Sequence, residues 1–360
     1  MKKIKSYVIN ASLFLFSLIL SLLFVEIFFR LFLFGIDGAP FRLKNWAVEG
    51  IWDVERAPVE LNYEFGWVPE VGSFKKNTPP HLVTINKFKF RNNDIDDLPE
   101  MSEEKILFSG DSFTFGDGVD DENTFPSIFQ KISGSKVINA GVPGYGIDQM
   151  YLRSLKIIQK YKISDLFFCF IPDDINRCNN STFHKVQKPY FILSGDSTML
   201  KSINPLNFSK VRNFNLSLFH KIGGYSLVID KIMQLFFPKF WSYSTNISKK
   251  IEHNNGKEIS IKLILDLKDK CDEKNINFFV VPLAHQRYSH NHVKNLKFVL
   301  NALRDQVNII NIFNELESIR YENPDLFSSY FLKDNYHFSI VGNEFVSNAI
   351  YEKFINSKWD

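Results

Sequence analysis

A run of 19 residues without a formal charge, Tyr7 to Val25 (YVINASLFLFSLILSLLFV), constrains this chain more than any other feature. As a helix it reaches about 28 Å, close to the ~30 Å apolar core of a bilayer. Lys2, Lys3 and Lys5 precede it. Positive charge tends to stay cytoplasmic, so the N-terminus is expected inside and everything after residue 35 on the outer side. Glu26 and Arg30 follow, four apart on one helical face, where they can pair near the interface, with LFLFG after them lying in the interface. A buried soluble helix would carry a polar stripe, which this run lacks. A cleaved signal peptide has a shorter apolar region ending in a small-x-small site, for which GIDGA at 35–39 is the candidate. The expectation is an uncleaved anchor over residues 1–35, a cytoplasmic stub followed by a helix that meets the bilayer through residues 7–35.

The remaining composition narrows the partners. The 43 Lys and Arg are scattered among 40 Asp and Glu, for a net charge of +3 without a long basic block, so nucleic acid is not an expected partner. Cys169, Cys178 and Cys271 fit neither a disulfide framework nor a paired zinc spacing. No motif points to a metal, nucleotide or flavin, so no cofactor is expected. The 37 Phe read as compositional bias.

Residues 36–100 contain Trp46, Trp52 and Trp67, several Pro and Gly, and little periodicity, a connector expected to pack on the main domain. From 101 to 357 the pattern changes. KILFSG (105–110), KVINAG (136–141), DLFFCFI (165–171), NFFVVPLA (277–284) and VNIINIF (307–313) read as buried strands. Between them lie helical patterns: Ile147, Met150, Tyr151, Leu155 and Ile158 share one face, as do Val293, Leu296, Leu300 and Leu303, and Val341, Phe345, Ala349 and Ile350 in the last segment. Strands alternating with helices imply an α/β fold whose parallel sheet is covered on both faces, with its site at the carboxyl ends of the strands. Residues 178–257 break the rhythm as an insertion with strand-like pieces and the aromatic run LFFPKFW.

The tetrapeptide SGDS occurs twice, ending at Ser112 and at Ser197. Ser112 stands where the first predicted strand ends, the place for a nucleophile on this architecture. The elbow G-x-S-x-G is absent, because Gly116 follows Ser112 by four positions rather than two. Ser197 lies in the insertion between two short strand-like runs, where Gly-Asp suits a hairpin turn. A serine hydroxyl needs a base. The histidines are His81, His184, His220, His253, His285, His290, His292 and His337. In LKDNYHFSIVGNEF, Asp334 precedes His337 by three residues, so a carboxylate can reach the imidazole within one tight turn and fix its tautomer. Alone, His337 reads better as a helix-capping turn residue. His290 and His292 form an HxH pair without a third ligand and read as exposed loop residues.

GDSFTFG, then NAGVPGYG after the second strand, then DNYH near the end, in that order over about residues 101–355, resemble the SGNH/GDSL family of serine hydrolases. NYEFGWVPE and INKFKFRNN upstream are similar to the lead-in of its membrane-anchored bacterial members. The resemblance implies a three-layer sandwich with a mainly parallel, flavodoxin-like sheet. It implies Ser112 as nucleophile, His337 as general base, Asp334 as its partner, and the backbone N–H groups of Ser112 and Gly144 as oxyanion donors. A side chain at Gly144 would obstruct the acyl carbon, although Gly144 and Gly146 beside Pro143 also read as an ordinary turn.

One position departs from the pattern. The family's oxyanion Asn aligns in CFIPDDINR with Asp173, and an ionised carboxylate cannot donate a hydrogen bond. Asp173 is then protonated in a dry site, or Asn176 substitutes from the next turn, or activity is weak or altered. Asp173 and Asp174 also read as helix caps. The implied activity is an esterase removing an acyl group, O-acetyl in first place, from an envelope carbohydrate or lipid. The alternatives are an O-acyltransferase modifying a cell-envelope or exported polysaccharide, with a multispanning acyl-donor partner, and a degenerate domain that binds glycan without turnover.

Overall fold

The computed structural model describes residues 2–34, 58–77, 79–91, 103–183, 186–195, 197–201, 217–241, 255–333 and 336–357. Trp46, Trp52, His184, His253 and Asp334 lie outside the described residues. The chain divides into two units, Met1–Asp53 with Lys210–Ile247, and Val54–Ser209 with Ser248–Asp360.

In the first unit, helix α1 runs over Lys2–Phe34. Its stretch Ile9–Phe32 is long and apolar enough to cross a membrane, and none of it is buried.

The second unit opens with two antiparallel hairpins, β1 (Val59–Asn62) with β2 (Gly66–Pro69) and β3 (Gly72–Asn77) with β4 (Pro80–Ile85). These strands were not visible as periodicity in the connector. Then come β5 (Lys105–Ser109), α2 (Ser112–Phe115), α3 (Phe125–Ser133), β6 (Val137–Asn139), α4 (Ile147–Lys160), β7 (Ile163–Phe170) and α5 (Pro172–Arg177). Two small hairpins follow, β8 (Thr182–Phe183) with β9 (Val186–Gln187) and β10 (Tyr190–Ser194) with β11 (Ser197–Lys201). The insertion then passes into the first unit as α6 (Leu218–Gly223), α7 (Leu227–Phe236) and α8 (Pro238–Trp241). The second unit resumes with α9 (Gly256–Asp272), β12 (Asn277–Pro282), α10 (His290–Leu303), β13 (Asn308–Ile309), α11 (Ile312–Glu322), α12 (Pro324–Ser329) and α13 (Ile340–Ser357).

The central sheet has five strands in the order β13-β12-β7-β5-β6, all parallel. Counted along the chain this is the flavodoxin-like order, with its topological switch point between β5 and β7. Phe108, Phe167 and Phe279 sit in register on three neighbouring strands and stack at 4.7 and 5.0 Å. Phe129 of α3 and Phe354 of α13 cover that face. Part of the Phe excess is therefore a sheet-spanning aromatic layer. Ser109, on the opposite face, is held at 2.7 Å by Ser154 of α4, which packs beside α9. The sheet is thus covered on both sides.

One expected strand is shorter than its apolar run. Of VNIINIF only Asn308–Ile309 pairs with the sheet, because the Asn311 side chain accepts from Asn314 N–H at 3.0 Å and starts α11 at Ile312. At the second SGDS, Ser194 pairs with Ser197 across a two-residue loop, Gly195 has φ +60°, and the Ser197 hydroxyl donates to Ser194 O at 3.0 Å. Ser197 belongs to a hairpin.

Candidate active site

Ser112 follows β5 at the switch point, where the chain must turn sharply from strand to helix. A Cβ on Gly110 would lie 2.0 Å from Thr114 Oγ1 and 2.7 Å from Cys169 O, so only glycine lets the turn close. The Asp111 carboxylate then caps α2 by accepting from Phe113 N–H at 2.9 Å. Ser112 is 7% exposed. Its hydroxyl lies 2.8 Å from His337 Nε2, across 225 residues of sequence.

His337 sits in a loop closed by a bridge between Phe331 and Phe338. Leu332 N–H donates to His337 O at 2.8 Å and Tyr336 N–H to Leu332 O at 3.1 Å. Tyr336 takes φ +62°, an uncommon conformation for a residue with a side chain, directly before the histidine. The Phe113 ring, next to Ser112, packs 4.8 Å from the imidazole and 4.9 Å from Phe338. Serine and imidazole are thereby set against each other by the residue that follows each. Asp334, the expected carboxylate partner, lies outside the described residues.

The PGYG loop stands on the connector. Trp67 Nε1–H donates to Pro143 O at 2.8 Å, and the Tyr145 hydroxyl donates to Trp67 O at 2.5 Å. Gly144 between them has φ +79°, and a Cβ there would meet the Phe183 ring at 2.5 Å. Phe183 in turn stacks on Trp67 at 5.8 Å. Neighbouring amides are engaged: Val142 N–H donates to Gly110 O and Tyr145 N–H to Val142 O. Among the described residues the N–H groups of Ser112 and Gly144 have no such acceptor.

Asp173 leaves the end of the neighbouring strand β7. His285 Nε2 donates to its Oδ2 at 2.7 Å, and His292 Nδ1 lies 3.1 Å from its Oδ1 as an ion-pair contact. Burial alone would raise the Asp173 pKa. The two histidines, with Arg177 behind them, outweigh it and hold the carboxyl well below the usual carboxylate range. The same contact raises His292 above its ordinary value against the opposing effect of burial. These contacts favour the ionised form of Asp173. The Asn176 amide donates one hydrogen to Pro172 O at 3.0 Å and its carbonyl accepts from Asn295 at 2.8 Å, which leaves its second N–H. His292 also departs from the exposed-loop expectation, being in the first turn of α10, half-buried against Asp173, while His290 is exposed.

Arg177 was not singled out from the sequence. Its guanidinium pairs with Asp174, lies 3.5 Å from Asp111 Oδ2 and donates to Tyr145 O at 2.8 Å, joining the serine turn, the PGYG loop and α5. Asp111 and Asp174 side chains are fully buried. Burial, with the Asp111 charge beside it, pushes Asp174 well above the carboxylate range against the pull of Arg177. Burial would lower Arg177, but the carboxylates prevail and raise it. The spacing of Asp174 and Arg177, three apart on a helix, was the available signal.

The fold and this geometry define an α/β protein of flavodoxin-like strand order with a serine–histidine pair at its switch point. No protein-family model matches the chain, and no curated protein matches it by sequence. Among solved structures, a psychrotrophic esterase from Pseudoalteromonas sp. is similar at 10% identity and a TM-score of 0.40, covering 72% of this chain and 100% of that one. A GDSL-like lipase from Bacteroides thetaiotaomicron gives 11% and 0.38, with 74% and 94% covered. An acetyl xylan esterase gives 13% and 0.40, with 69% and 98% covered. Likeness of this degree assigns neither activity nor substrate to this chain.

Proposed function

We propose that this chain is an SGNH/GDSL-type serine esterase, held at a membrane by α1, that removes acyl groups, O-acetyl in first place, from a carbohydrate or lipid on the outer side. The observation that carries the reading is the 2.8 Å contact between Ser112 Oγ and His337 Nε2 at the switch point of the sheet.

The chemistry follows from that contact. Neutral His337 accepts the Ser112 proton at Nε2 as Oγ bonds to the acyl carbon and the carbonyl electron pair moves onto oxygen. The N–H groups of Ser112 and Gly144 receive that oxyanion, which is why their lack of other acceptors supports the reading. Collapse expels the alcohol oxygen, which takes the proton back from His337. Water then attacks the acyl-serine, again through His337, and releases the acid and free Ser112. Asp334 is the proposed partner of His337. Asp173 supplies no side-chain donor, so turnover runs on two backbone donors; losing a third costs on the order of 10²-fold in rate.

Fluorophosphonate labelling of the detergent-solubilised full chain tests the mechanism. Wild type and Ser197→Ala are expected to label, and Ser112→Ala to stay unlabelled. Label persisting in Ser112→Ala would sink the mechanism, and no label on wild type would favour the degenerate, glycan-binding reading that Asp173 supports. For the membrane side, the three early lysines support an inward N-terminus. A reporter fused after Asp360 is expected to respond outside the cytoplasm; a cytoplasmic signal overturns the orientation.

A further inference from the structure

The insertion helices of the first unit are built with their polar groups inside. Asp230 is buried and accepts from Trp241 Nε1–H at 2.8 Å. His220 is fully buried, stacked 5.0 Å from the Trp241 ring, with its Nδ1 2.6 Å from the Ser217 hydroxyl and its Nε2 2.9 Å from Phe240 O. Outside stand Leu218, Ile222, Leu235, Phe236, Phe237 and Phe240, between 51% and 73% exposed. A water-facing surface has the opposite distribution, and an apolar patch of this density marks a surface that something else covers.

The contact with α1 says what covers it. Glu26 accepts from the Leu227 and Val228 N–H groups at 2.8 and 3.0 Å and from the Ser226 hydroxyl at 2.8 Å, so its carboxylate sits on the N-terminus of α7. Arg30 pairs with Glu26 at 2.6 Å and donates to Tyr225 O at 2.7 Å. The charged pair that follows the apolar run of α1 is therefore bound to the start of α7 and the residue before its cap. Residues 26–30 fix their depth at the level where the anchor leaves the apolar core. Phe24, Phe28 and Phe32 are exposed on α1 at this same level, and Lys221 and Lys231 are exposed on the insertion helices.

We infer that residues 217–241 form an interfacial membrane element, lying in the headgroup and upper acyl region of the bilayer that α1 enters. This rests on the reading of α1 as a membrane anchor. The occupant of the apolar face is lipid, and Glu26 is the residue that sets its depth.

The test uses the full-length chain in phosphatidylcholine–phosphatidylglycerol vesicles with an environment-sensitive fluorophore at Leu235→Cys, Phe16→Cys or Ser197→Cys. The native cysteines are buried and stay unlabelled. At 235 the expected result is blue-shifted emission, quenching by lipid with a nitroxide near the headgroup, and shielding from iodide. At 16 a nitroxide deep in the acyl chain should quench, and at 197 iodide should. Iodide quenching at 235 with lipid quenching at 16 overturns the interfacial element and leaves the anchor standing. Loss of lipid quenching at 16 overturns the anchor, and this inference with it. Shielding of 235 from both quenchers means protein covers the face, which also overturns it. Glu26→Gln should shift emission at 235 to the red without moving 16, and no shift removes Glu26 from the depth argument.

Discussion

Replacing Arg177 by Met tests how the serine turn is held. The side chain keeps its length and loses its charge, leaving Asp111 and Asp174, both fully buried, without their shared cation. At 3.5 Å and an effective dielectric constant near 20, the Arg177–Asp111 attraction is about 5 kcal/mol before desolvation. Removing one partner of a buried pair costs roughly 3–5 kcal/mol, and the 18% exposure of Arg177 favours the lower end, about 3 kcal/mol at neutral pH. The loss should depend on pH with a definite sign. Asp174 is already raised in the wild type, and without Arg177 it rises further, so the folded variant binds more protons than its unfolded chain. Its stability then falls as pH rises, and the gap to wild type narrows on acidification wherever the folded variant holds more of that proton than the folded wild type, by less than about 1.4 kcal/mol per pH unit. Urea unfolding of the detergent-solubilised chain, followed by tryptophan fluorescence near pH 5, 6 and 7, measures this. A gap under about 1 kcal/mol at pH 7, or one that widens in acid, refutes the reasoning.

Gly144→Ala is expected to lose about 2–4 kcal/mol, from positive φ and overlap with the Phe183 ring, together with most ester turnover. Adding Phe183→Ala should relieve the overlap but not the φ strain, and full recovery in urea unfolding would contradict the φ strain. In the proposed mechanism Asp173→Asn replaces a charge that opposes the oxyanion by a donor, so kcat on a short-chain ester should rise on the order of tenfold with little change in KM; unchanged turnover takes Asp173 out of the proposed oxyanion site. The raised pKa of His292 gives stability that is full below its unfolded value near pH 6.5 and is lost as pH rises through the higher folded value. Solvent screening limits this to about 0.5 kcal/mol, and His292→Gln should flatten that slope in unfolding curves between about pH 6 and 8.

The sheet could be read from the sequence because buried parallel strands are near-continuous apolar runs, and Ser112 and His337 because their surroundings are short and local. The connector strands escaped because they are short, and Phe74 and Val83 stand among Lys75, Lys76 and His81 without a clear alternation. The Asp173–His285 contact escaped for a different reason. Its partners are 112 residues apart, and only strand register brings them together. Phe170 pairs with Pro282 across β7 and β12, so Asp173 and His285, each three residues beyond, leave the sheet side by side. Five apolar runs do not reveal which of them are neighbours.

The lead-in segments then acquire a physical reason for standing before the nucleophile. Arg91, 2% exposed, pairs with Asp121 at 2.9 Å and donates to Phe115 O at 2.7 Å, Gly116 O at 2.5 Å and Val119 O at 2.6 Å, gripping the chain just after Ser112. Trp67 grips the PGYG loop from below through Pro143 and Tyr145. Each proposed oxyanion donor is thus held by one side chain from residues 58–91, before the first strand of the sheet. Three carbonyls on one guanidinium amount to about 1 kcal/mol each, and Asp121 would be left as a buried, unpaired charge. A chain cut at residue 101 keeps Ser112, Gly144 and His337 but frees both loops that present them. The second unit starts at Val54, so residues 58–91 belong to the same compact unit as Ser112, Gly144 and His337.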